Sequence, residues 1–273
     1  LGDVYKRQVL GGFSSLAELE AAMAERPVPE HGWVVKSEFG NASLGNRRLR
    51  GSRLDEPERR FVESLFEEES WVILERWTPR RLDLCTTFEL DSGGGVRGLN
   101  VHEVVNTADG AFFGALFVGG GRASDRWREI ASGTATVVAR RLAAHGYFGP
   151  VCIESYVTRG DVGSRLRPLV DLIARSHVSV PALRLWRRWE GAATLYWRFF
   201  TARKFELPGG LRELVHRLGS LAFDPDRRCG VLITSPLRRP GNRPLPKIAA
   251  CLVAPTRDEV LAMERRFRTL FER

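Results

Sequence analysis

Cysteine, histidine, methionine and lysine are all scarce in this 273-residue chain, and each scarcity removes a class of protein. The four cysteines, Cys85, Cys152, Cys229 and Cys251, stand far apart with no CxxC pair. That spacing suggests neither a zinc site nor a disulfide framework, and with no secretory signal pattern a reducing cytoplasm is the expected compartment. The five histidines are dispersed with no HxxxH, and read as surface or satisfied core residues rather than ligands. No GxSxG nucleophile elbow is present, which argues against a hydrolase. Nor is there an apolar run of roughly 18 residues, so no membrane-spanning helix is expected.

Only four of the 42 basic residues are lysines, Lys6, Lys36, Lys204 and Lys247. The net charge of +9 and a pI near 10.0 would suit a nucleic-acid partner, because basic patches release counterions from phosphate backbones. Here the basic residues are scattered, and the codon usage of a GC-rich genome accounts for the arginine excess. A basic nucleic-acid-binding protein stays as a lesser alternative, whose signature would be steep salt-dependent retention on DNA or RNA. The balance of 43% hydrophobic and 27% charged residues is that of a soluble globular protein with room for one large domain or two smaller ones.

Residues 1–8 carry the string DVYKRQ from Asp3 to Gln8, which a sequencing-library adaptor encodes in frame, and are read as a processing scar. From Phe13 to Ala24 a serine cap at Ser14 or Ser15, a glutamate three residues on and helical apolar spacing predict a short amphipathic helix. Gly32 to Lys36 reads as a buried strand leading into a loop over Ser37 to Asn46. A charged helix is expected over 54–69, then strands over Trp71–Glu75, Leu82–Leu90, Val101–Asn106 and Ala111–Val118, with turns at Ser92–Gly95 and Asp109–Gly110. A helix from Ser124 to Ala144 stops at His145–Gly146, and a hairpin follows with strands Val151–Thr158 and Leu166–Ile173. Beyond Pro181 the expected elements are a helix near Leu183–Trp189, strands Gly230–Thr234 and Ile248–Val253, and a final helix Thr256–Glu272. The aromatic cluster Leu195 to Phe200 reads as packing.

The hairpin is the most informative feature. Glu154 and Asp171 are equidistant from a turn centred between Val162 and Gly163, which would set two carboxylates face to face. Directly opposed like charges destabilise a sheet, and a shared divalent cation is the common reason to place them so. Mg²⁺ suits such a pair, since one or two carboxylates hold it while substrate phosphates complete the octahedron. A register off by one or two would instead make both ordinary exposed acids. Lys36 ends an apolar strand just before Gly40, Ser43 and Gly45, and the amides of such a loop can cradle phosphate while a lysine neutralises it. The spacing is not a Walker A motif, and an edge-strand lysine beside a surface loop is the other reading. Glu75, Arg76 and Trp77 end a second apolar strand, where backbone groups and an aromatic could meet an adenine ring.

Taken together and in order, GWVVKSEFGNASLG, WVILERWTPRRLDLCTTFEL and GYFGPVCIESYVTRGDVGSRLRPLVDLIAR resemble the ATP-grasp superfamily over roughly residues 13–190. The most specific piece is the hairpin, which is similar to the family's Gly-Tyr-x-Gly-Pro-x-Gly-Ile-Asp strand followed by Pro-Leu-Val-Glu-Ile-Asn-Ala-Arg. The resemblance implies an α+β fold: an ATP-grasp lid subdomain over 9–75, an antiparallel-sheet core subdomain over 76–190 carrying the metal hairpin, and a small carboxyl-terminal α/β extension over 191–273. It implies that the chain is an amino-terminally truncated fragment of a carboxylate-amine ligase. ATP with Mg²⁺ or Mn²⁺ would lie between the two subdomains, where a carboxylate is activated as an acyl phosphate for attack by an amine. Lys36 would contact the phosphates, the loop with Gly40, Ser43 and Gly45 would close over them, Glu75, Arg76 and Trp77 would form the adenine hinge, and Asp83 would hold the ribose. Glu154 and Asp171 would hold the metal, and Arg175 would steady phosphate or the acyl phosphate. The partners implied are small carboxylate and amine substrates, with a homodimer as an option and no membrane.

One position departs from the family. Its metal-binding Asn falls on Ile173, which has no oxygen to offer, so a nucleotide-binding protein with weakened or lost turnover is the alternative to the ligase. The exchange of Glu and Asp at 154 and 171 relative to the family keeps the total reach similar.

Overall fold

The structure, a computed structural model, describes residues 9–37, 45–68, 71–107, 110–119, 125–159, 163–189, 193–201, 210–240, 245 and 247–269. Two compact units divide the chain. The first takes residues 1–81 with 106–112 and 158–165, and the second takes 82–105, 113–157 and 166–273.

The first unit is a four-stranded sheet with two helices. Strand β1 (Val9–Phe13) leads to helix α1 (Leu16–Ala24), followed by β2 (Trp33–Ser37), β3 (Asn46–Leu49), helix α2 (Glu56–Glu68) and β4 (Val72–Arg76). The strand order is β1-β4-β2-β3. The expected cap forms: the Glu18 amide donates to Ser15 Oγ, and the Ser14 amide donates back to Glu18 Oε2 at 2.9 Å, a reciprocal capping box. Side chains alternate across the sheet. Trp33, Val35, Val72 and Leu74 therefore face Leu19 and Met23 of α1 and Val62 and Leu65 of α2 in one apolar core. Each such buried aliphatic stabilises the fold by about 1.5–3 kcal/mol. Val34, Lys36, Ile73 and Glu75 fall on the opposite face.

A loop is expected over 37–46, but Ser37 ends β2 and Asn46 begins β3; residues 38–44 lie outside the described residues. Gly45 stands just before β3 with a φ of +88°, and a Cβ there would sit 2.6 Å from Ser37 Cβ. Its carbonyl accepts from the Ser37 amide at 3.0 Å, a close approach at positive φ that only glycine makes without strain. Strands β1 and β3 were not foreseen. β3 pairs in regular register with β2, and β1 pairs with β4 with a register shift between Val9 and Gly11, so sheet pairing overrides a polar or glycine-rich local sequence.

The second unit is an eight-stranded sheet, ordered β11-β12-β10-β7-β6-β5-β8-β9. Its elements are β5 (Arg80–Leu90), β6 (Val96–Asn106), β7 (Phe112–Phe117), helix α3 (Asp125–Ala144), β8 (Gly149–Thr158), β9 (Arg165–Ile173), helix α4 (Val180–Arg188), β10 (Thr194–Thr201), helix α5 (Gly210–Leu218), β11 (Gly230–Ile233), β12 (Lys247–Ala254) and helix α6 (Arg257–Thr269). Helix α3 ends as expected at Gly146, φ +75°, whose amide donates to the Ala143 carbonyl at 2.9 Å while Tyr147 donates to Leu142 at 3.0 Å, a left-handed stop. On one face Phe88, Leu90, Val151 and Ile153 pack on Ala135, Val138 and Ala139 of α3. At the other end of the sheet, Leu116, Tyr196, Leu252 and Ala254 pack with Val260 and Phe267 of α6.

Residues after 191 supply three strands to this same sheet. The Leu195 to Phe200 cluster, read as packing only, is the central strand β10, paired on both sides with β7 and β12. Its near-continuous apolar run follows from burial on both faces. Helix α5 was not foreseen either.

Candidate functional site

The first unit brings two of the expected site residues together. Val34 pairs with Glu75 and Lys36 with Ile73, so Lys36 and Glu75 are diagonal neighbours on the face away from the helices. Lys36 Nζ donates to Glu75 Oε2 at 2.7 Å, and the side chains are 24% and 11% exposed. This is a charge-assisted bond in a half-dry setting, which is screened less than a surface pair. It also holds the ammonium at a fixed point at the end of β2. Trp77 follows β4, where its amide donates to the Gly32 carbonyl at 2.9 Å. Its ring carries the guanidinium of Arg48 at 5.2 Å and that of Arg80 at 5.8 Å, within cation–π range. Arg76 is exposed. Of the loop residues, Gly45 makes the contact with Ser37 described above, while Gly40 and Ser43 lie outside the described residues.

In the second unit Glu154 lies on β8 and Asp171 on β9, adjacent strands at the edge of the sheet. Asp171 is exposed, and the Glu154 side chain is 41% exposed. Ile173, on the same strand as Asp171, supplies no oxygen donor. Asp83 pairs with Val104 across β5 and β6. Arg175 is exposed, with Nη1 donating to the Ser176 carbonyl at 3.4 Å.

Beside Glu154 lies a group that linear spacing did not announce. Its carboxylate Oε1 is 3.9 Å from His177 Nε2. The Ser179 amide donates to His177 Nδ1 at 3.3 Å, so that nitrogen is an acceptor and the ring proton sits on Nε2, toward Glu154. The Ser179 hydroxyl lies 2.6 Å from His177 Nδ1 and 2.9 Å from His102 Nε2, bridging the two rings. Burial, with the charge of Arg175 added, pushes His177 down to about 4. Burial first, then the charges of His177, Arg128 and Arg187, hold His102 well below the usual imidazole range. Both rings are neutral at pH 7. His102 also stacks on Phe117 with centroids 4.5 Å apart.

Cys85, the register partner of His102, has its Sγ 3.0 Å from that of Cys152. Burial above all, then the Cys152 thiol and the Glu154 charge, push the Cys85 thiol well above its ordinary value. His102 and His177 are satisfied core histidines, as expected, but residues dispersed in sequence meet in space: β6 and β8, flanking β5, set His102 and Cys152 beside Cys85, and the segment before α4 brings His177 to them. The sequence signal was faint. Each sits at an alternate position of a strand, or just before a helix, and pairing partners cannot be read from spacing.

No family model matches the sequence, and no curated protein matches it. Solved structures do. An ADP complex of purK, N5-carboxyaminoimidazole ribonucleotide synthetase, matches with a TM-score of 0.60 at 14% identity, covering 94% of this chain and 65% of that one. An Aspergillus clavatus N5-carboxyaminoimidazole synthase in complex with ADP and 5-aminoimidazole ribonucleotide matches at 0.59 and 12% identity, covering 95% of this chain and 66% of that one. The biotin carboxylase domain of Hydrogenobacter thermophilus 2-oxoglutarate carboxylase, with MgADP, ADP and bicarbonate, matches at 0.59 and 15% identity, covering 97% and 63%. The chain thus spans about two thirds of the length of these proteins. The likeness shows the fold, which is the α+β fold of the ATP-grasp proteins. Among the described residues no helix is long and apolar enough to cross a membrane.

Proposed function

We propose that the chain carries the ATP-binding and catalytic part of an ATP-dependent ligase that activates a carboxylate for attack by an amine. The reading is carried by a likeness in fold, over nearly the whole chain, to structures determined with ADP. One of those holds bicarbonate and another an amine-bearing ribonucleotide. The ordered Lys36 ammonium at the end of β2 adds support from this chain's own residues.

In the proposed reaction an oxygen of the substrate carboxylate attacks the γ-phosphorus of ATP, and the bond to the β,γ-bridging oxygen breaks to release ADP. The amine nitrogen then attacks the acyl carbon and inorganic phosphate leaves. The protein's part is positioning and charge neutralisation. Lys36 binds the phosphates, with Gly40, Ser43 and Gly45 as the cradle. Glu75, Arg76 and Trp77 hold the adenine, and Asp83 the ribose. Arg175 neutralises charge on the transferred phosphoryl group. Glu154 and Asp171 hold the divalent cation, Mg²⁺ or Mn²⁺, which when bound offsets phosphate charge and orients the triphosphate.

A second reading is favoured by one residue. Ile173 removes the third family metal donor, which fits a protein that binds nucleotide without turning it over. The test is to offer the purified protein MgATP with pairs of small carboxylates and amines, and to follow nucleotide binding together with ADP and phosphate release. Phosphate release that needs both substrates is the expected result. Tight MgATP binding without release supports the second reading, and absence of nucleotide binding rejects both.

A further inference from the structure

The thiol of Cys85, an imidazole nitrogen of His102 and one of His177 all lie within 4.8 Å of one another, and all three residues are buried. Cys152 adds a second buried thiol, 3.0 Å from the first. The four come from β5, β6, β8 and the segment before α4, all within the second unit. The nucleotide chemistry proposed above uses none of them.

We propose that Cys85, Cys152, His102 and His177 form a closed binding site for a borderline-soft divalent cation of the zinc type. Two sulfur and two nitrogen donors are the set that tetrahedral zinc prefers, whereas Mg²⁺ and Ca²⁺ select oxygen. Metal bonds of about 2.3 Å to sulfur and 2.0–2.1 Å to nitrogen place tetrahedral donors roughly 3.3–3.8 Å apart. The cluster runs from 3.0 Å between the sulfurs to at most 4.8 Å among Cys85 and the two rings. Shifts of about 1 Å would seat Cys85, His102 and His177 at tetrahedral spacing and part the two sulfurs to the same distance.

Charge points the same way. Two thiols losing their protons to a dication leave a neutral site, which a dry interior tolerates far better than separate charges. Complete burial matches a structural site with four protein ligands, not a catalytic one with an open position.

The orienting groups are in place. Ser179 Oγ braces His177 Nδ1 at 2.6 Å, leaving Nε2 as the ligand nitrogen once the ring proton moves from Nε2 to Nδ1, where it is donated to Ser179 Oγ. His102 is held at Nε2 by Ser179 at 2.9 Å and lies 3.2 Å from Asn100 Oδ1 through Nδ1, so coordination replaces one of those contacts and keeps the other as its outer support. The proposal stands whether or not the nucleotide reading does.

The test is a titration of chelator-treated, reduced protein with Co²⁺, followed by Zn²⁺ competition. One equivalent of Co²⁺ should produce a thiolate-to-metal charge-transfer band, which Zn²⁺ abolishes. Cys85→Ser should lose the band. Ser179→Ala should keep it with roughly 10–100-fold weaker binding, and Cys229→Ser, distant in sequence, should match the parent. If the folded parent shows no thiolate band at one equivalent, or Cys85→Ser retains it, the site does not exist. Isolation of a metal-free Cys85–Cys152 disulfide that re-forms after reduction despite added Zn²⁺ would also overturn the proposal. The parent titration decides the matter even if a variant fails to fold.

Discussion

Replacing Lys36 by Met separates a nucleotide contact from a structural ion pair, because the structure assigns the ammonium to Glu75 and the proposed function assigns it to ATP. A charge-assisted hydrogen bond contributes about 1.5–3 kcal/mol. If Lys36 makes one to a phosphate oxygen, its loss weakens MgATP binding by roughly 10- to 150-fold. The same substitution deprives Glu75, 11% exposed in its side chain, of its cation, at a cost of about 1–3 kcal/mol in stability. Each kcal/mol lowers Tm by about 2–4 °C in a chain near this size.

Glu75→Gln gives the complementary perturbation. It removes the charge that holds Lys36, so Tm should fall, while affinity for MgATP should fall less than in Lys36→Met because the phosphate contact stays. Calorimetric titration with MgATP alongside thermal melts of the parent, both single variants and the double variant separates the two effects. The reasoning fails if Lys36→Met melts lower yet binds MgATP as tightly as the parent, since the lysine would then serve only the sheet.

Two further outcomes follow from the second unit. Arg198 and Glu264 form an ion pair, with side chains 8% and 10% exposed, and the guanidinium lies 3.9 Å from the Phe113 centroid and 4.4 Å from that of Phe200. Glu264→Ala should cost about 3–5 kcal/mol in urea unfolding by stranding a buried cation, whereas the double change Arg198→Met with Glu264→Leu should lie within about 1 kcal/mol of the parent; equal losses in both variants would contradict this. The buried histidines set a pH dependence. Burial holds both folded-state values below the ordinary imidazole range, His177 at about 4, so protons bind preferentially to the unfolded chain. Stability in chelator-treated protein should be full above pH 6.5 and fall as pH drops toward 4. His177→Gln should flatten that slope, and a parent whose urea midpoint is unchanged between neutral and mildly acidic pH would refute the assignment.

The local elements were legible because their signals are local. Ser15 and Glu18 announce the start of α1, Gly146 the end of α3, and alternation the strands of the first hairpins. Lys36 stood out as a rare lysine in an arginine-rich chain, and its position at the end of an apolar strand was correct. What escaped were elements stabilised mainly by their neighbours. The polar run of β3 becomes a strand because β2 offers it hydrogen-bond partners, and β10 is a strand because β7 and β12 flank it.

By itself, then, the sequence determined the order of most helices and strands, the caps that bound them, and the pattern that resembles ATP-grasp proteins. Only the tertiary structure decided that Lys36 is bonded to Glu75, that His177 stands against Glu154, and that Cys85, Cys152, His102 and His177 meet. The physical reason is that helix and turn formation depend on residues a few positions apart, whereas sheet register joins residues with no fixed separation along the chain.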